Sequence, residues 1–348
     1  ALRTAGYRVG GVGKFDLSKN TLEWGLDGKR LIDEWGFTDG IDNEGKYDGT
    51  RSGATEPHGP YLKYLYDNGW AYIHLKDFDR ENRHEFQGTH PTALPDEAYC
   101  DNWIAENGIE ILKQFPKDQP WFMQVNFTGP HNPMDITQSM HDARPDVQFP
   151  QPIDSTELDA DHHNEIRKNY AAMIENIDLQ VGRFLDAVEA RGELENTIVV
   201  FSSDHGEMLG DHDKWGKSIF YQPSVGVPLV VAGPGIQQGV TSDALVELHD
   251  LAVTHVDMAG AEELPDADGR SLKSILMGDT TEHRDIAISG LNDWQVIWDG
   301  RMKLFVKEGD APKLYDLETD PGEMNDLARE CPDQVERLLT KLKAETCE

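Results

Sequence analysis

The chain has 348 residues, with 64 Asp plus Glu against 32 Lys plus Arg and a formal net charge of −32. That length accommodates one large α/β domain, or one domain with a smaller appendage, and buries a sizeable core. The charge argues against nonspecific binding to nucleic acid or anionic membranes, and no apolar run approaches the roughly 18 residues of a membrane span. The acidic residues are spread along the chain, which suits a generally acidic protein and equally an adaptation to saline surroundings.

The chain opens at Ala1 without Met, and Leu2 to Ala5 reads as the tail of a helix stopped at Gly6. Residues upstream of Ala1 are therefore expected, and the absence of a visible signal peptide carries little weight. Tyr7 to Val12 reads as a short strand with Gly13-Lys14-Phe15-Asp16 as its exit. Residues 18 to 60 read as a long irregular insert, Tyr61 to Asn68 as a helix closed by Gly69, and 75 to 95 as loop. Pro95 and Asp96 start a helix reaching Gln114, with an apolar face of Trp103, Ile104, Ile111 and Leu112. Trp121 to Phe127 reads as a strand that runs into Gly129-Pro130-His131-Asn132-Pro133.

Residues 135 to 160 read as loop. The clearest helix covers about 164 to 191: Ile166, Tyr170, Met173, Ile177, Val181, Phe184 and Val188 recur at helical steps, and Gly192 ends it. A buried strand, Ile198 to Phe201, follows, so helix feeds strand as in a parallel α/β sheet. Pro228 to Ala232 reads as another buried strand, and Leu248 to Gly260 as a helix with Asp250 in its first turn. From about residue 284, short apolar runs split by turn residues read as a small antiparallel sheet, closed by a terminal helix. The expected division is a catalytic α/β domain over 1–283 and a small subdomain over 284–348. Cys331 and Cys347 are separated by a helical pattern spanning roughly 24 Å, against the roughly 7 Å a bridge allows. Cys100, Cys331 and Cys347 are expected to be free thiols.

The chemistry concentrates in Ser202-Ser203-Asp204-His205-Gly206-Glu207 and the loop that continues to Lys217. Ligands bind at the carboxyl ends of strands in α/β sheets, and Asp204 and His205 stand at such an end. A metal-ligand pair followed by a lysine suits an anionic ester, a sulfate or a phosphate. His131 and Lys14 occupy two other polar strand exits. Gly10-Gly11-Val12-Gly13-Lys14 is not a nucleotide phosphate loop, because Arg8 stands where its leading Gly is needed and Phe15 replaces Ser or Thr.

The run Asp204 to Lys217, continuing through Phe220-Tyr221-Gln222-Pro223-Ser224 to Ile236, resembles the type I sulfatases of the alkaline phosphatase superfamily. Collinear matches include Leu2 to Tyr7 with Gly13-Lys14, Gly129 to Pro133, and Tyr170 to Arg183. Further on lie Asp250 to Thr254 with Gly269-Arg270-Ser271-Leu272, and Leu314 to Pro321. The resemblance implies an alkaline-phosphatase-like α/β fold, a mostly parallel sheet between helices with a small C-terminal antiparallel sheet. It implies a metal-dependent hydrolase of sulfate monoesters, of a sulfated carbohydrate or aryl sulfate. In that family the nucleophile is a hydrated formylglycine made from Cys or Ser in Cys/Ser-x-Pro-x-Arg.

By this match Asp204 and His205 would be metal ligands, with Ca²⁺ the first choice and Mn²⁺ the second. Lys217 would hold sulfuryl and bridging oxygens, His131 would serve the leaving group, and Lys14 would contact nucleophile and sulfate. Asp16 stands where the family usually has His, and would orient Lys14 or act as base. His212 and Trp215 would line the substrate cleft. Neither Cys/Ser-x-Pro-x-Arg nor the family's first acidic ligand pair occurs in the chain. The resemblance places both upstream of Ala1, so residues 1–348 alone are expected to show no turnover. Family habit implies a periplasmic or secreted protein with a sulfated small molecule or glycan as partner. A phosphonate monoester or phosphodiester hydrolase of the same fold, and a non-catalytic sulfated-glycan binder, are the competing readings. Trp24, Trp35, Tyr61, Tyr64 and Trp70 of the insert are divided between sugar stacking and simple packing.

Overall fold

The computed structural model describes residues 1–79, 81–144 and 146–346. The chain forms two compact units: one comprises Ala1–Pro152 with Thr156–Glu195, the other Ile153–Ser155 with Asn196–Glu348. They meet in the sequence near residue 195, so the division drawn at 283/284 falls inside the second unit.

The first unit is built on a parallel sheet in which β1 (Arg8–Gly13) lies between β2 (Asp39–Asp42) and β3 (Trp121–Asn126). Gly13 pairs with Asp42 on one side and Asn126 on the other, so three strand exits open at one end of the sheet. Gly13 has φ +114°, and a Cβ there would lie 2.0 Å from the Asn126 carbonyl oxygen. Only glycine permits that approach.

Helices α1 (Lys46–Ser52), α2 (Pro60–Asp67), α3 (Ala71–Asp77), α4 (Cys100–Lys113), α5 (Gln138–Ala143) and α6 (Ala160–Ala190) complete this unit. Val12, Tyr61, Leu62, Leu65, Trp103 and Ile104 form its core. The Asp159 carboxylate accepts from the His162 amide and caps α6, which buries Ile166, Met173, Ile177 and Val188.

The structure departs from the sequence pattern at several elements. Residues 18–60 contain β2 and α1, 75–95 open inside α3, and 135–160 contain α5. These elements are short, and their glycines and charges hide the periodicity. The expected helix from Asp96 breaks at Tyr99, which is extended at φ −65°, ψ 132°. Its hydroxyl is tied to the Asp135 carbonyl at 3.1 Å. Leu2 to Ala5 form turns rather than helix.

The second unit contains β4 (Val199–Ser202), α7 (Gln222–Val225), β5 (Leu229–Ala232), α8 (Asp250–Met258) and α9 (Lys273–Met277). It continues with β6 (Ala287–Leu291), β7 (Trp294–Trp298), β8 (Met302–Lys307), β9 (Lys313–Asp316) and α10 (Pro332–Thr346). Strands β6 to β9 form an antiparallel meander in chain order. Ile297, Leu304 and Leu314 of that sheet pack against Val335, Leu338 and Leu342 of α10. Strands β4 and β5 pair antiparallel with each other, not in the parallel manner expected. Nor are they fully buried: the cross-strand pair Phe201 and Val230 is 40% and 60% exposed. A two-stranded ribbon leaves the outer side chains of such a pair uncovered. Cys100 is a buried free thiol and Cys331 a partly buried one, while Cys347 lies outside the described residues.

Candidate active site

Lys14 leaves the end of β1 with its backbone clamped to β3. Its amide donates to the Asn126 carbonyl at 3.0 Å, and the Asn126 side-chain amide donates back to the Lys14 carbonyl at 3.2 Å. Its side chain passes over Gly45, where a Cβ would come within 2.8 Å of Lys14 Cε. The ammonium meets Asp16 at 2.9 Å, and Lys19 approaches the same carboxylate at 3.1 Å. Burial raises the Asp16 carboxyl pKa, but the hydrogen bonds and charges of Lys14 and Lys19 outweigh it and leave the group below the usual range. Asp16 is thus a carboxylate that holds Lys14.

Beneath this loop sits Asp42, a residue the sequence reasoning missed. It is 2% exposed and accepts the Phe15 amide at 3.2 Å. Burial pushes its pKa up to about 7, helped by Asp16, while the Phe15 amide and Lys14 act the other way. Its signal was a lone Asp closing an apolar Gly-Ile-Asp inside a stretch that otherwise reads as insert.

His131 follows β3. Its amide donates to Thr128, and its ring Nδ1 lies 2.7 Å from the Asn132 carbonyl oxygen. A carbonyl only accepts, so Nδ1 carries a proton there. The loop is anchored from α4: buried Asp101 accepts the amides of Thr128 and Gly129 at 2.6 and 3.0 Å. Lys14, Asp16 and His131 are therefore brought to one end of the first unit's sheet by adjacent strands.

Asp204, His205, His212, Trp215 and Lys217 belong to the second unit, on the loop that follows β4. His205 Nε2 lies 3.4 Å from Asp204 Oδ2, and its Nδ1 lies 2.9 Å from the Gly206 carbonyl oxygen. A carbonyl only accepts, so Nδ1 carries a proton and Nε2 is the ring nitrogen turned toward a carboxylate that is 85% exposed. An oxygen and a nitrogen donor presented together are of the type that hard or borderline divalent cations accept.

Glu207, also missed, closes the loop by accepting the amides of Leu209 and Gly216 at 3.2 and 2.6 Å. Burial raises its carboxyl pKa; those amides, Lys217 and His205 act against the rise. His212 stacks on Tyr221 with ring centroids 4.0 Å apart and 9° between planes. Its side chain is 10% exposed, with Nδ1 3.9 Å from Asp154. Trp215 and Lys217 are half-buried.

Among the described residues, one group of three potential metal ligands is found, Glu247, His249 and Asp250. It is already compensated: Arg284 pairs with both carboxylates, and His283 lies 3.2 Å from Asp250. Asp250 also accepts the Arg270 amide at 2.8 Å. This is an ion-pair knot that fastens α8. Of the insert's aromatics, Trp24 and Tyr61 are buried, Tyr64 and Trp70 pack on the core, and Trp35 is 63% exposed.

Each unit thus presents polar side chains where a strand ends: Lys14, Asp16 and His131 in the first, and a carboxylate–imidazole pair followed by Lys217 in the second. The family model described as Sulfatase matches residues 1–261, and that for the C-terminal region of N-sulphoglucosamine sulphohydrolase matches 210–348. The chain belongs to the sulfatase family, whose members generally use a formylglycine and a divalent metal.

It is 27% identical to an arylsulfatase of Clostridium perfringens over 84% of this chain and 68% of that protein. It is 29% identical to a choline-sulfatase of Rhizobium meliloti over 76% of this chain and 59% of that one. An N-acetylglucosamine-6-O-sulfatase of Bacteroides thetaiotaomicron is 31% identical over 47% of this chain and 32% of its own length. The chain thus spans about a third to two thirds of these relatives. The fold is shared with a protein solved in complex with its substrate D-glucosamine-2-N,6-O-disulfate (TM-score 0.74, 19% identity, 99% of this chain and 81% of that one). It is shared also with the phosphonate monoester hydrolase of Agrobacterium radiobacter (TM-score 0.76, 22% identity, 99% and 79%).

Proposed function

We propose that this chain belongs to a sulfuric ester hydrolase that cleaves sulfate monoesters of a sulfated carbohydrate or aryl sulfate. The observation that carries the reading is the His205–Asp204 pair: Nδ1 is engaged by the Gly206 carbonyl at 2.9 Å, which turns Nε2 toward the Asp204 carboxylate at 3.4 Å. In this reading Asp204 and His205 hold a divalent cation, Ca²⁺ in first place and Mn²⁺ in second. Such a cation supplies positive charge for sulfuryl oxygens. Lys217, on the same loop, adds charge for the sulfuryl oxygens, while Lys14 at its own strand exit is an anion contact that Asp16 keeps in place. His131 serves the leaving oxygen through Nε2, as hydrogen-bond donor once protonated. Trp215 lines the cleft, and His212 supports its wall through Tyr221.

Parallel assays of the full-length enzyme on a sulfate monoester and on a phosphodiester test the reading. A higher kcat/KM for the sulfate is expected, and a much higher value for the diester would overturn it. The phosphonate hydrolase fold likeness makes that diester reading the one to exclude. Binding of sulfated glycan without turnover would identify a binding protein instead. Export to the periplasm or medium belongs to the same proposal and is checked by fractionating the native host. Among the described residues, no helix is long and apolar enough to cross a membrane.

A further inference from the structure

Lys303 of β8 and Glu323 form an ion pair at 2.8 Å, with side chains 2% and 1% exposed. Taking two charges out of water is expensive, and such a pair often contributes no more to stability than apolar residues of the same volume. What the pair does locally is hold one residue. Glu323 Oε2 accepts the Gln222 amide at 2.6 Å, while Lys303 Nζ lies 3.5 Å from Gln222 Oε1. Gln222 opens α7, where backbone donors lack helical partners.

Two residues on, the Ser224 carbonyl accepts the Gly206 amide at 2.9 Å. There is no slack at that contact, because a Cβ on Gly206 would lie 1.9 Å from the Pro223 carbonyl oxygen. Gly206 is gripped on its other side by the His205 imidazole. The preceding Phe220 is pinned to the same sheet, 4.1 Å from Phe305 and 6.0 Å from Tyr315 by ring centroids. Every link in this chain of contacts lies within the second unit.

We propose that Lys303 and Glu323 are positioning residues for Asp204 and His205, acting through Gln222, Ser224 and Gly206, and that they set the affinity for the divalent cation. The proposal rests on the reading of Asp204 and His205 as metal ligands.

The test is Ca²⁺ binding to the full-length protein by calorimetry, alongside kcat and KM, for E323Q, K303M/E323L, Q222P and D204N. Q222P removes the amide that Glu323 accepts. The backbone tolerates it, since Pro suits the first helical position and Tyr221 is already extended at ψ 150°. E323Q, Q222P and the double variant are expected to weaken Ca²⁺ binding about tenfold. Saturating Ca²⁺ should restore kcat in each. Substituting the surface pair on the same sheet, K307A/D293A, should leave the affinity unchanged. Wild-type affinity in folded E323Q and Q222P, with D204N weakened, would overturn this proposal alone. Wild-type affinity in D204N would overturn the ligand reading itself. Should E323Q not fold, Q222P and the double variant decide the question.

Discussion

The imidazole Nδ1 of His205 lies 2.9 Å from the carbonyl oxygen of Gly206, so the residue after the imidazole decides which ring nitrogen would face the proposed cation. Replacing His205 by Ala should weaken Ca²⁺ or Mn²⁺ binding by at least about tenfold, since even outer-sphere partners are worth that much. Thermal unfolding with and without chelator measures it. The stabilising shift that the metal gives the wild type should shrink in His205→Ala, while the metal-free proteins should melt alike.

Lys14 and Asp16 make a second, separable case. Lys14→Ala should lower kcat/KM by about 10² to 10³, the usual effect of removing one donor to developing negative charge. Asp16→Asn keeps the shape but loses the charge that holds Lys14 and Lys19. Its loss should be smaller and fall mainly on kcat. An Asp16→Asn enzyme with unchanged kcat would mean that Lys14 does not need its partner.

Asp42 and Glu44 should make stability depend on pH. Both are buried, and burial pushes each pKa up to about 7. A carboxyl whose folded pKa is raised gives its full stability below its unfolded value. That stability is lost as pH rises from about 4 through 7, because the folded state binds more protons there. His74 works in the opposite sense. Its burial lowers the pKa to about 4, so its contribution is lost as pH falls below about 6.5. Denaturant midpoints at pH 5 and 7.5 should therefore show a smaller alkaline loss in Asp42→Asn than in the wild type.

Arg284 carries the knot at α8. Arg284→Met leaves Asp250, fully buried, and Glu247 without their cation. A cost of about 3 to 5 kcal/mol is expected from breaking a buried pair on one side. Guanidinium denaturation reads it. Added Ca²⁺ should not repair the variant if the three ligand-type residues are structural.

The long helix α6 was legible from its helical apolar period, and strands β1 and β3 and the C-terminal meander from short apolar runs bounded by turn residues. The strand ends that carry Lys14 and His131 followed from them. Asp42 and Glu207 were not legible: each acts by accepting backbone amides, and nothing in residue type distinguishes that from a solvated turn. The Lys303–Glu323 brace was hidden for another reason, since twenty residues and a strand separate its members. Strands β4 and β5 read as buried from their apolar composition, but composition does not say how many layers cover a strand.

Cys100 is 1% exposed, its sulfur is 3.3 Å from the Thr128 hydroxyl, and burial beside Asp101 pushes its thiol pKa far up. At rest it is therefore almost inert to alkylation. Thr128 begins the segment that carries His131. A thiol reagent can reach Cys100 only when this part of the first unit opens. Its labelling rate is a clock for that opening, readable by mass spectrometry without any added probe.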